Sequence, residues 1–169
     1  MKPGARTRSG LPAARRPVTV GLLIALSVAG SFVKIPSVIG TPALDALPGY
    51  FAAAALGLPE GALVAAFGHL ATAATAGFPL SPGVHVLVAC LTAGAVVAFG
   101  AVARKGSPAG AVPLAMVANG VLAPAVLLLI PGFGTAFFVA VVPSLIVASG
   151  INAGLAALLY HSYRRNPWL

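Results

Sequence analysis

The chain has 169 residues, of which 59% are apolar and 7% charged, with a formal net charge of +8. A soluble globular domain does not carry so few charges, so the composition places the chain in lipid. A +8 charge also fits nucleic-acid binding, but that function needs basic residues gathered on one folded surface.

Here nine of the ten Lys and Arg residues sit at alternate breaks between six apolar stretches. Lys2, Arg6, Arg8, Arg15 and Arg16 precede the first stretch, Arg104 and Lys105 separate the fourth from the fifth, and Arg164 and Arg165 follow the last. This is the positive-inside pattern of a membrane protein.

In chain order the stretches run over residues 18–33, 41–57, 60–77, 83–103, 110–131 and 136–161. They are rich in Ala, Leu and Val, without the two-residue alternation of a barrel strand. With no water to satisfy the backbone in lipid, the prediction is an all-α bundle of six transmembrane helices. The first stretch is short, and Lys34 is expected to snorkel outward.

The charges set the orientation. Both termini are expected in the cytoplasm, with residues 34–40, 78–82 and 132–135 outside. Tyr160, Tyr163 and Trp168 then lie at the inner interface. The expected organisation is a basic cytoplasmic tail over 1–17, one membrane domain over 18–163 and a short cytoplasmic tail over 164–169. Arg15 and Arg16 before Val18–Val33 also resemble a signal peptide. Its cleavage would leave five spans and put the Arg104–Lys105 loop on the wrong side of the membrane.

Loops are short and turn-forming, built on Pro36, Gly40 and Pro42, on Pro79, Pro82 and Gly83, on Gly106, Pro108 and Gly110, and on Pro131, Gly132 and Gly134. Cys90 falls mid-span and reads as a small packing residue. Small residues recur at four-residue spacing: Gly21, Ala25 and Ala29 on the first helix, Gly49, Ala53 and Gly57 on the second, Gly150 and Gly154 on the sixth. Such faces let helices approach closely, either inside the bundle or against a partner.

The few polar residues inside the apolar stretches are the candidate site: Asp45, His69, His85, Asn119 and Asn152. Ionisable groups in lipid normally face a partner or a cavity. Four of the five fall at mid-depth or above on the outer side, which points to a polar pocket open to the outside. Each also has a structural reading. Asp45 can cap the second helix, His69 can bond between helices, and His85 can be interfacial. Asn119 can satisfy backbone near a Pro124 kink, and Asn152, placed too deep for the pocket, reads as helix glue.

No phosphate-binding lysine loop, metal-ligand cluster or nucleophile elbow occurs, so no cofactor, no metal and no catalytic residue is assigned. The chain reads as a binding subunit without its own engine.

Several segments carry a family likeness: KIPSVIGTPALD over residues 34–45, Pro48-Gly49-Tyr50, Glu60-Gly61-Ala62, Gly68-His69-Leu70, Gly77-Phe78-Pro79-Leu80 with His85, and Asn119-Gly120-Val121. Through them the chain resembles an S component of an energy-coupling factor (ECF) transporter. The branch it resembles most is the one assigned to α-ribazole, a cobalamin precursor.

The resemblance implies a substrate-capture subunit in a bacterial cell membrane that works with a T component and two ATPase subunits. It implies that Gly21, Ala25 and Ala29 dock against the T component, and that residues 34–41 cover the site. It also implies that His85 and Asn119 hold substrate, with Asp45 and His69 less firmly placed. From residue type, Tyr50 or Phe78 is expected to stack on a base. The lack of an Arg or Lys cluster on the outer side favours an uncharged ligand. Two rivals remain open at this point: a membrane-embedded enzyme using His69, His85 and Asp45, and an assembly subunit without a ligand.

Overall fold

A computed structural model describes residues 15–35 and 42–165, which form six helical rods connected by short turns. Trp168, most of the basic tail and most of the 34–41 segment lie outside the described residues. Among the described residues the structure is helical, apart from one isolated antiparallel bridge between Lys34 and Ala43.

Helix α1 spans Arg16–Gly30 and opens with a proline in its first turn, where a missing N–H costs nothing. Its inward side places Val20, Leu23 and Ile24 against Ala52, Leu56 and Val64. Lower exposure continues at Ser27, which lies against Gly68 so closely that a Cβ there would sit 2.7 Å from the serine Cβ.

Helix α2 spans only Leu47–Ala55, shorter than the predicted 41–57. Before it, backbone bonds pair residues 42–44 with residues 33–35 instead of continuing a helix. The Ile35 amide donates to the Pro42 carbonyl at 2.8 Å and the Leu44 amide to the Val33 carbonyl at 3.2 Å. Asp45 therefore lies in the entry turn. It does not cap α2, whose N-cap is Ala46 without a side-chain bond.

Helix α3 spans Leu58–Thr75 and α4 spans Pro82–Ala103. The small residues of α2 are consumed inside the bundle. A Cβ on Gly49 would meet Ala65 at 3.1 Å, one on Gly100 would meet Ala53 at 2.7 Å, and one on Gly61 would collide with Ala53. Tyr50 and Phe99 meet edge to face at 5.0 Å at the centre of the core.

The fifth rod is continuous but not uniform. Helix α5 spans Pro108–Val117, a π-helical turn follows over Ala118–Leu122, and α6 spans Ala123–Leu127. Pro124 has no N–H to continue an α-helical ladder. The Ala123 amide reaches back to the Ala118 carbonyl, five residues earlier. Helix α7 runs from Thr135 to Arg165, 31 residues, or about 46 Å at the usual helical rise.

Among the described residues, three rods are long and apolar enough to cross a membrane: Pro82–Ala103, Pro108–Leu127 and Thr135–Arg165. Helix α1 is apolar but has only 15 residues. Against the predicted stretches 18–33 and 41–57, α1 ends at Gly30 and α2 begins only at Leu47, with the Lys34–Ala43 bridge between them.

The rods divide the bundle into two unlike ends. One carries Arg16, paired with Glu60 at 3.0 Å, and Arg104, whose guanidinium donates to the Ala54 carbonyl at 3.1 Å at the end of α2. A cation there suits the negative end of a helix. Arg164 lies over the Tyr160 ring at 5.7 Å at the same end. Cys90, predicted as a packing residue, is exposed on the outer surface of α4.

Candidate functional site

The end opposite the basic one holds a cavity of about 440 Å³. It is bounded by the C-terminal half of α3, the N-terminal half of α4, the π-helical turn, α7 and the Lys34–Ala43 bridge. Small-molecule sites are typically concave and mainly apolar, with a few convergent polar groups. This cavity has that character, and its histidines, Asn119 and Asn152 form three hydrogen-bonded sets.

The first set joins α3 to α4. His69 Nε2 lies 3.1 Å from His85 Nδ1, and His85 Nε2 accepts the Leu80 amide at 3.4 Å. The turn that presents Leu80 is bent by left-handed backbone at Gly77, Phe78 and Ser81, with φ of 74°, 52° and 83°. Two of those residues are not glycine, and such conformations are held only where the surroundings over-determine them. Ser81 helps by accepting the Val84 amide at 3.4 Å as the N-cap of α4.

The second set is centred on Asn119 in the π-helical turn. Its Oδ1 accepts from the Thr92 hydroxyl at 3.2 Å, and its Nδ2 donates to Ser149 Oγ at 3.0 Å. This ties α4, the fifth rod and α7 together at the cavity wall. The π turn aims Asn119 while Gly120 packs against Ile146, where a Cβ would sit 2.8 Å from its Cα. An amide has two acceptor sites and two N–H donors, so these two bonds leave one of each on Asn119 unspent.

The third set is spent on architecture. Asn152 Oδ1 accepts the Leu47 amide at 2.7 Å, and Nδ2 donates to the Ala43 and Ala148 carbonyls at 2.8 and 2.9 Å. Both of its N–H groups are used.

Asp45, His69, His85 and Asn119 all line this cavity. Tyr50 does not. It is fully buried in the core beside Phe99, and its hydroxyl has no partner among the described residues. Phe78 is also outside the lining. It sits behind His85, with ring centres 5.8 Å apart. Neither aromatic can stack on a ligand from its place in this structure. Lys34, predicted to snorkel outward, lines the cavity, and so does Asn152, predicted too deep.

Thr72, Thr92 and Ser149 were not singled out in the sequence, yet they line the cavity too. Their signal is helical spacing. Thr72 is three residues after His69, Thr92 is seven after His85, and Ser149 is three before Asn152. Thr72 Oγ1 is buried without a partner among the described residues.

No group of three or more His, Cys, Asp and Glu side chains suited to a metal occurs among the described residues. The two histidines bond to each other and to backbone, and Asp45 forms no ion pair with either of them among those residues.

No protein-family model matches the chain, and no curated protein matches its sequence. Among solved structures, it superposes on the S component of a bacterial ECF transporter with a TM-score of 0.67 at 19% identity. The match covers 94% of this chain and 100% of that one. The chain has the fold of an ECF S component. At that identity the likeness is one of architecture, and the side chains of the cavity have to be read on their own chemistry.

On this S-component fold, Gly21, Ala25 and Ala29 lie on the exposed side of α1. Nothing in the described chain comes within 4 Å of a Cβ built on Gly21. Val18, Leu22 and Leu26 extend the same apolar surface, with exposures of 64%, 66% and 51%. Gly21, Ala25 and Ala29 thus lie away from the internal packing, unlike the small residues of α2.

Proposed function

We propose that this chain is the substrate-capture S component of an ECF-type importer in a bacterial cell membrane. It takes up an uncharged micronutrient from outside. The observation that carries this reading is the polar-lined cavity of about 440 Å³ at the end remote from the basic residues, in a chain with the S-component fold. Positive-inside charge bias makes the basic end cytoplasmic, so the cavity faces outward. The same bias supports six membrane crossings with both termini in the cytoplasm.

A neutral ligand fits the charge of the lining. Lys34 and Asp45 are its lysine and its carboxylate, and they offset each other. The spare donor and acceptor of Asn119, the Thr72 hydroxyl and the histidine pair suit the base and ribose of a nucleoside, with α-ribazole or a related cobalamin precursor as the leading candidate. ATP hydrolysis belongs to two ATPase subunits, reached through a T component that docks on the Gly21–Ala25–Ala29 face of α1.

The test is uptake of labelled α-ribazole by cells producing the chain with a T component and ATPases. Accumulation that needs all of the subunits supports the reading. Uptake that is unchanged when this chain is omitted contradicts it.

A further inference from the structure

The histidine pair has a fixed direction. The Leu80 amide can only donate, so His85 Nε2, 3.4 Å away, is a bare acceptor. A neutral imidazole has one N–H, so the proton of His85 is on Nδ1 and points at His69 Nε2, 3.1 Å away. His69 Nε2 is then an acceptor in turn, and the proton of His69 is on Nδ1.

A second proton on either ring breaks this chain. On His85 it would occupy Nε2 and face the Leu80 N–H. On His69 it would occupy Nε2, forcing the His85 proton across to the same position. The pair therefore stays neutral as long as the bent turn holds Leu80 in place. The charged lining groups on the neighbouring elements are Asp45 before α2 and Lys34 after α1. The Phe78 ring covers His85 from the turn.

His69 Nδ1 has no partner among the described residues and is not sealed from solvent, while the His69 side chain lines the cavity. We propose that His69 Nδ1–H is a permanent hydrogen-bond donor into the cavity, so that the ligand meets it with a bare acceptor, a pyridine-type ring nitrogen or a carbonyl oxygen. A ligand presenting an N–H at that point is rejected, because two donors would face each other in a buried site. The ligand part of this inference rests on the substrate-capture reading above; the tautomer does not.

The direct test is nitrogen NMR of ligand-free protein in nanodiscs, labelled with ¹⁵N at its three histidines. His161, at the exposed end of α7, is assigned by His161→Asn and serves as the solvent reference. His69 and His85 should both show a protonated Nδ1 and a bare Nε2. A protonated Nε2 on His69 overturns the assignment.

The second measurement compares benzimidazole riboside with indole riboside, which replaces the acceptor nitrogen by C–H. The benzimidazole should bind at least about tenfold more tightly, the usual scale for one buried hydrogen-bond partner, and should shift the His69 Nδ1 resonance. Equal affinities, or binding that leaves His69 unperturbed, overturn the proposal. If neither riboside binds while the NMR tautomers are as assigned, the nucleoside reading falls. The polarity is then judged on the small molecule that purifies with the protein. One with an acceptor that hydrogen-bonds to His69 supports it, and one without overturns it.

Discussion

Asn152 Oδ1 accepts the Leu47 amide at 2.7 Å across 105 residues of chain, while its Nδ2 holds the Ala43 carbonyl at 2.8 Å. One side chain of α7 thereby fixes the first amide of α2 and the turn before it, which carries Asp45 into the cavity. Asn152→Leu strands the amide and the carbonyl together, at a cost of about 1–3 kcal/mol for each buried group left unpaired. Its melting temperature in detergent, followed by circular dichroism, should fall well below that of the wild type.

Asn119 stands differently, because half of its bonding capacity is unspent. Asn119→Leu should weaken binding of the ligand by roughly 1–3 kcal/mol, the range for stranding a buried polar partner, and His85→Leu should weaken it by releasing His69 from its fixed orientation. Calorimetric titration of folded variants measures this. Unchanged affinity in both would mean that the ligand sits elsewhere in the cavity.

The exposed face of α1 gives a separable prediction. Ala25→Trp and Ala29→Trp add bulk where the chain itself packs nothing, so folding and ligand affinity should be unchanged. Uptake and copurification with the T component should be lost, since a large ring prevents close helix approach. Persistent uptake in both variants would remove the docking role from this face.

Orientation is tested by reporters. Fusions after Leu169 and at Lys105 should report from the cytoplasm, and one at Pro82 from outside. An external C-terminus would contradict the six-crossing topology.

Much of this was legible from composition and spacing. The rods α4, α5–α6 and α7 lie close to the predicted stretches because long apolar runs have few alternatives in lipid, even where Pro113, Pro124 and Pro143 interrupt the backbone ladder. The second helix was overextended because the Ala43–Asp45 segment is apolar enough to read as helix. Its path is set by the Asn152 bond to the Ala43 carbonyl and by backbone pairing with Val33 and Ile35, which no local pattern reveals. His69, His85, Asn119 and Asp45 stood out as polar residues in an apolar background. Thr72, Thr92 and Ser149 did not, because a hydroxyl in a membrane helix can bond to its own backbone and carries little signal. Tyr50 was misplaced because an aromatic suits a core and a ligand equally well until its neighbours are known. Phe99 decides in favour of the core.

The central claim is that the cavity captures one uncharged small molecule. The most direct measurement is mass spectrometry of the small molecules carried by purified wild-type protein and by Asn119→Leu. The account predicts a neutral, nucleoside-like compound at about one per chain in the wild type and its depletion in the variant. An anionic compound, equal retention in both proteins, or no stoichiometric ligand in wild-type protein saturated with cell extract would contradict it.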